Sequence, residues 1–363
     1  MENSWLVNSS VEPQFESKLS PSADLVIAAF LILTGVASVC GNGAVLAVYH
    51  RKRSKIKPPE LMIVNLALCD FGFSAVGMPF FIISSLSHGW IFGDTGCLLY
   101  GLQGLVFGIG SLITTSLISL DRCLKICCLR YGQRINNLHA CVIIAVSWLF
   151  TVFWASLPAF GFGRYRPEPY GTSCTVDWWS IQTADTDRLY VYLFLCFCFG
   201  FPTITIIASY LSILHKVYTS NRALASLPCS AVSNTHSKDL KLAKMAVMVC
   251  VVFLVAWLPY ASVSLISALV SRNDTLSESS NPGPGSSSSP GSCLPPVVTV
   301  IPALFAKSHC MMNPVIYQIM HREFRDSLYE IVFGRVKASR RRQRRKSAHV
   351  HSSIMMQSRA SRN

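Results

Sequence analysis

With 363 residues, 51% of them hydrophobic and only 14% charged, and a mean hydropathy of +0.41, the chain is too apolar and too charge-poor for an ordinary soluble domain. The formal net charge of +14 does not mark a nucleic-acid binder, because the basic residues sit in short blocks between apolar runs and in the tail, the pattern of a cytoplasmic membrane face. The 14 cysteines show no zinc-ligand spacing, and most lie inside apolar runs, where a thiol behaves as a small hydrophobe.

Residues 1–24 are polar and acidic and lack the positive stretch of a cleaved signal peptide. They contain the sequon Asn8-Ser9-Ser10, so this segment is expected outside, with the first apolar run acting as an uncleaved signal anchor. Seven apolar runs follow, near 25–49, 60–86, 95–125, 139–161, 189–217, 241–269 and 295–319. Each is long enough to cross about 30 Å of hydrocarbon as a helix. Arg51, Lys52, Arg53, Lys55 and Lys57 follow the first run, Arg130 and Arg134 the third, and Lys216, Arg222 and Lys238 the fifth, whereas the alternate connections are neutral or acidic. The positive-inside rule then predicts an external N-terminus and a cytoplasmic C-terminus, and the plasma membrane is the expected location. A second sequon, Asn273-Asp274-Thr275, falls on the external side, in a connection whose Pro, Gly and Ser content predicts disorder over 272–294. The amphipathic stretch from Arg322 to Phe333 predicts a short eighth helix at the interface. The expected class is thus an all-α membrane protein: an extracellular segment at 1–24, a seven-transmembrane helix bundle at 25–319, an amphipathic helix at 320–334 and a basic cytoplasmic tail at 335–363. The tail carries Arg340, Arg341, Arg342, Arg344, Arg345 and Lys346, which suits attraction to anionic membrane lipid as well as plain solvation.

Several residues inside the runs are costly unless partnered. Lys307 lies at the centre of 295–320, where a protonated amine costs about 2.5–3.5 kcal/mol on insertion scales and reaches neither end easily. Asp70 in the second run reads either as a neutral, hydrogen-bonded core residue or as part of a hydrated or sodium-holding pocket shared with Asn42 and Asn313. Asp121 and Arg122 end the third run, and Asp239 precedes the sixth; they are either interfacial charges or a clamp in which Arg122 reaches Asp239. Pro259 predicts a kink in the sixth helix, with Trp257 as a lever at the bend. Cys97 and Cys174 both fall on the oxidising side, which predicts a disulfide pinning the loop over the bundle mouth. Cys127 and Cys128, side by side near a helix end, are candidates for acylation.

Asn42, Asp70, Asp121-Arg122, Trp148, Pro202 with Tyr210, Trp257 with Pro259, and Asn313-Pro314-x-x-Tyr317 fall one set per helix in an order and spacing that resemble the rhodopsin-like G-protein-coupled receptors over residues 25–333. A lysine six residues before that Asn resembles the retinal-linking lysine of opsins. The segment Arg164 to Trp179 together with Ala306-Lys307-Ser308 looks most like the neuropsin group. The resemblance implies a light sensor that carries retinal, 11-cis or all-trans, as a Schiff base on Lys307 and activates a heterotrimeric G protein of the inhibitory class. Arrestin and a receptor kinase are further implied partners.

Opsins take their counterion from the third helix or the second external loop. Tyr100 occupies the helix position and is no carboxylate, so Glu168, six residues before Cys174, is the expected counterion, with a solvated loop carboxylate as the alternative. Gly104, Gly108, Phe194, Trp257, Tyr260 and Ala303 are the implied pocket lining, although such residues also pack ordinary cores. Three departures stand out: Cys123 in place of the usual Tyr after Asp-Arg, no Cys after the eighth helix, and Met78 where neuropsins commonly carry Lys. Without that nearby positive charge the Schiff base is expected to be protonated and the pigment to absorb visible light. Two other functions fit parts of the pattern, a retinal photoisomerase and a receptor for a diffusible ligand.

Overall fold

The computed structural model describes residues 13–128, 136–178, 185–224, 234–278, 294–334 and 336–337, with backbone alone at residue 55 and at 220–224, 234–242 and 268–278. Among these residues six helices are long and apolar enough to cross a membrane. They are α1 (Pro21–Arg51), α2 (Pro58–Leu86), α3 (Gly93–Cys127), α4 (Asn137–Phe160), α5 (185–224) and α6 (Asn234–Glu278). A seventh segment, α7 (296–320), is helical in three pieces, and α8 (Arg322–Phe333) follows it. A short antiparallel hairpin adds β1 (Tyr165–Pro167) and β2 (Cys174–Val176), with Pro167 opposite Cys174. The helix bounds agree with the expected runs to within a few residues at most ends. The exceptions are α5, which runs seven residues past its expected end, and α6, which begins earlier than expected and continues through Glu278, so taking up the start of the connection expected to be disordered. Residues 279–293, the basic tail from 338 onward and Asn8 lie outside the described residues.

The bundle inverts the pattern of a soluble domain. Leu33, Leu149, Phe153, Leu211, Val255 and Ile319 face outward, while Ser38, Asn42, Asn65, Asp70, Thr114 and Asn313 are buried. A lipid-facing surface needs apolar side chains, and the interior can then hold polar groups that satisfy one another. Asn65 joins three helices in this way: its amide donates to Thr114 at 2.7 Å, and the Trp148 indole donates to its oxygen at 2.9 Å.

Proline explains where the helices depart from regular geometry. Pro79, Pro202 and Pro314 cannot donate to the carbonyl four residues back, and the preceding turns leave α geometry, widening to π-turns at Phe73–Gly77 and Leu195–Gly200 and tightening to a 3-10 turn at His309–Met311. The Cys310 carbonyl left free by Pro314 accepts from the Asn42 amide at 2.9 Å. Gly41 allows this approach, since a side chain there would start 2.9 Å from the Pro314 ring. Asn42 therefore repairs the broken turn of α7 and hydrogen-bonds Ser38; of the two asparagines expected around Asp70, Asn313 is the one that hydrogen-bonds it directly among the described residues.

At the end of the bundle that carries the hairpin, residues 13–18 form a strap. Trp90 N–H donates to Phe15 O at 2.7 Å, Ser17 N–H to His88 O and Lys18 N–H to Tyr170 O, both at 3.1 Å. Gly171 makes this possible, because its φ of +87° suits glycine and a Cβ there would lie 2.1 Å from the Glu16 carbonyl oxygen. The Cys97–Cys174 disulfide joins α3 to β2, as expected.

Candidate functional site

A cavity opens between α2, α3, α5, α6, α7 and the hairpin, with about 1050 Å³ of free space including its open mouth. Its walls include Met78, Tyr100, Gly104, Gly108, Glu168, Phe194, Trp257, Tyr260, Ala303 and Lys307.

Lys307 Nζ donates to Glu168 Oε1 at 3.2 Å and lies 5.0 Å from the centre of the Phe81 ring. Glu168 is 2% exposed, which rules out the solvated loop carboxylate. The hairpin connection holds it there. Glu168 N–H donates to Ser173 O and Gly171 N–H to Glu168 O, each at 2.8 Å, which folds the backbone into a tight loop around the carboxylate. The Ser173 hydroxyl donates to Glu168 Oε1 at 2.9 Å, so the neighbouring Tyr170 hydroxyl, 2.7 Å from Ser173 Oγ, is the donor to Ser173. Tyr170 and Ser173 are fully buried, and neither was singled out from sequence, since their role exists only once this loop closes. Burial also pushes the Tyr170 hydroxyl well above its usual range, so it stays a donor across physiological pH.

At the far wall, Trp257 stacks on Phe253 with centroids 5.7 Å apart and meets Tyr260 edge-on. Gly108 faces the indole, and a Cβ there would lie 3.5 Å from it. The Tyr260 hydroxyl donates to Thr175 at 3.2 Å, tying α6 to the hairpin. Below the cavity, Asp70 accepts from Asn313 at 2.7 Å and from Ser111 at 3.0 Å. His309, which sequence reading passed over, completes this cluster, with Nε2 3.5 Å from Asp70 and Nδ1 accepting from Trp257 at 3.1 Å. Its signal in the sequence is faint, one imidazole two residues beyond Lys307.

At the opposite end Arg122 pairs with Asp121, which Lys125 also holds at 2.7 Å. A small cleft joins Asp121 and Arg122 to Met245, Val249 and Tyr317. Tyr210 bonds Cys250 across α5 and α6 at 3.4 Å. The side chains of Asp239 and Asn273 are not among the described residues, so the expected Arg122–Asp239 contact and the second glycosylation site lie outside what is described.

A seven-helix bundle with a buried lysine–carboxylate pair lining its cavity defines a class of membrane receptor. The family model described as 7 transmembrane receptor (rhodopsin family) matches residues 41–317. Opsin-5 of Mus musculus is 43% identical over 313 residues, covering 86% of this chain and 78% of that protein. Opsin-5 of Homo sapiens is 43% identical over 310 residues, covering 85% and 82%. The crystal structure of squid rhodopsin superposes with a TM-score of 0.73 at 27% identity, covering 89% of each chain. The chain belongs to the rhodopsin family of seven-transmembrane receptors. Within it the chain is an opsin resembling the neuropsin (Opsin-5) group: a multi-pass, light-sensing receptor that couples to G proteins, and not an enzyme. Opsin membership implies a retinal chromophore.

Proposed function

We propose that this receptor carries retinal covalently on Lys307, as a protonated Schiff base whose counterion is Glu168, and that light makes it activate a heterotrimeric G protein of the inhibitory class. The observation that carries this reading is the Lys307–Glu168 pair, buried at one end of an aromatic and glycine-lined cavity. The residues fit the group. The walls are mostly apolar, Gly104 has open space where a Cβ would stand, and buried Glu168 Oε2 lacks a hydrogen-bond partner among the described residues, which leaves it free for a cationic nitrogen.

When bound, retinal supplies a polyene that changes shape on absorbing light. The chain's own residues do the rest. Glu168 balances the positive nitrogen, and the Tyr170–Ser173 chain holds the carboxylate in place. With Met78 in the lining, no second cation among the described residues lines the cavity, so the linkage stays protonated and absorption lies in the visible. Trp257 at the far wall passes the shape change to α6, where Pro259 removes a backbone donor and so weakens the helix at that point, letting it swing from Arg122 and open the cleft for the G protein. The N-terminal strap and hairpin then face the outside, the Arg122 end faces the cytoplasm, and arrestin, a receptor kinase and inner-leaflet lipid act on that face and on the basic tail.

Reductive trapping tests the linkage. Borohydride treatment of pigment should fix retinal to the peptide containing Lys307, and Lys307→Ala should reduce trapped retinal to background. Retinal trapped on another residue, or unchanged trapping in the variant, contradicts the assignment.

A further inference from the structure

His309 stands beneath the cavity, 2% exposed, with its ring edge-on to Phe253 at 5.2 Å and to Trp257 at 5.5 Å. Its Nδ1 meets two groups with opposite demands. The Trp257 indole N–H donates toward it at 3.1 Å, and the Ala306 carbonyl oxygen lies 2.7 Å away. An imidazole nitrogen accepts or donates, never both at once. With Nδ1 bare, it holds the Trp257 N–H, and the ring proton sits on Nε2, 3.4 Å from Ser111 Oγ and 3.5 Å from Asp70 Oδ1. With a proton on Nδ1, the ring donates to Ala306 and the indole loses its acceptor.

We infer that His309 is a proton-controlled latch on Trp257, a positioning residue that holds the indole at rest and takes up one proton when the indole leaves. The inference rests on the reading of Trp257 as the element that passes the light signal on. On release, the indole N–H to Nδ1 bond breaks, a proton from solvent binds Nδ1, and an N–H bond to the Ala306 carbonyl forms. Nε2–H stays directed at Asp70, whose carboxylate, already held by Asn313 and Ser111, faces the new imidazolium. The titratable groups facing the ring are Asp70 from α2 and Cys310 from α7, its Sγ 3.6 Å from both nitrogens. From α3 comes Ser111, and from α6 come Trp257 and Phe253, none of which titrates near neutral pH. Linkage makes the coupling reciprocal: whatever moves Trp257 away favours protonation, and protonation weakens the hold on Trp257.

The test reads the Trp257 indole N–H directly by ultraviolet resonance Raman spectroscopy, with Trp257→Phe identifying the band, in the dark across a pH series. The wild-type band should pass from hydrogen-bonded to free on acidification, as a single-proton transition. His309→Asn, whose side-chain oxygen accepts but does not titrate, should keep the bond at every pH. His309→Phe should leave the indole free throughout and raise light-independent nucleotide exchange about fivefold, the population effect of one lost hydrogen bond. A wild-type band indifferent to pH, or a pH transition that persists in His309→Asn, overturns the latch. Because the band is read with or without chromophore, failure of retinal to attach at Lys307 leaves this result intact, and the two ideas fail separately.

Discussion

The contact between Lys307 and Glu168 is expensive on both sides, and its geometry explains how the cost is met. An isolated charge of either sign inside the bundle is strongly disfavoured, but a carboxylate fixed by Ser173, with Tyr170 behind it, presents its oxygens to the amine without a rearrangement. The consequence is a sharp spectral prediction. Glu168→Gln keeps the shape and removes the charge, so the retinal-bound variant should lose its visible band at neutral pH and absorb in the ultraviolet, as read from a dark spectrum of purified pigment. Retention of the visible band would assign the counterion elsewhere. Lys307 and Glu168 were legible in the sequence because each carries a charge where charge is costly or is measured off from a cysteine. Tyr170, Ser173 and His309 were not, since a tyrosine, a serine and a lone histidine take on meaning only from neighbours distant in the chain.

The elements are set by apolar run length and by proline, and both are visible in the sequence; the compensation for proline is not. Asn42 stood out as a polar residue in an apolar run, and Asp70 looked like its partner. The structure instead gives Asn42 to the Cys310 carbonyl that Pro314 orphans. Asn42→Ala should therefore lower stability by about 1–3 kcal/mol, the cost of an unsatisfied buried acceptor, as a reduced midpoint in thermal unfolding in detergent. The start of α8 supplies a second prediction. His321 Nδ1 accepts from the Phe324 amide at 3.2 Å, and burial holds this imidazole below its ordinary value of 6.5, with Glu323 pulling the other way. Because the folded form resists protonation, its contribution is complete above about 6.5 and is lost as pH falls. Hydrogen exchange at the Phe324 amide, corrected for its intrinsic rate, should accelerate on acidification in the wild type. It should be insensitive to pH in His321→Asn, which caps without titrating.

At the scale of the whole molecule, the chain joins the Lys307 cavity at one end to an Arg122 cleft at the other through a line of groups: Trp257, His309, Asp70, Asn313 and Tyr317. The overall bundle was legible from seven apolar runs and the alternation of basic connections. The strap at 13–18 and the hairpin that closes the pocket were not, because their few residues carry no periodicity and fold only against the helices they cover. The most direct measurement of the account is nucleotide exchange on purified G proteins of the inhibitory and Gq classes, in light and in darkness, with receptor reconstituted with 11-cis or all-trans retinal. Light should stimulate exchange on the inhibitory class with at least one isomer, and Lys307→Ala should abolish that stimulation. Exchange that ignores light with both isomers, or that survives unchanged in Lys307→Ala, would contradict it.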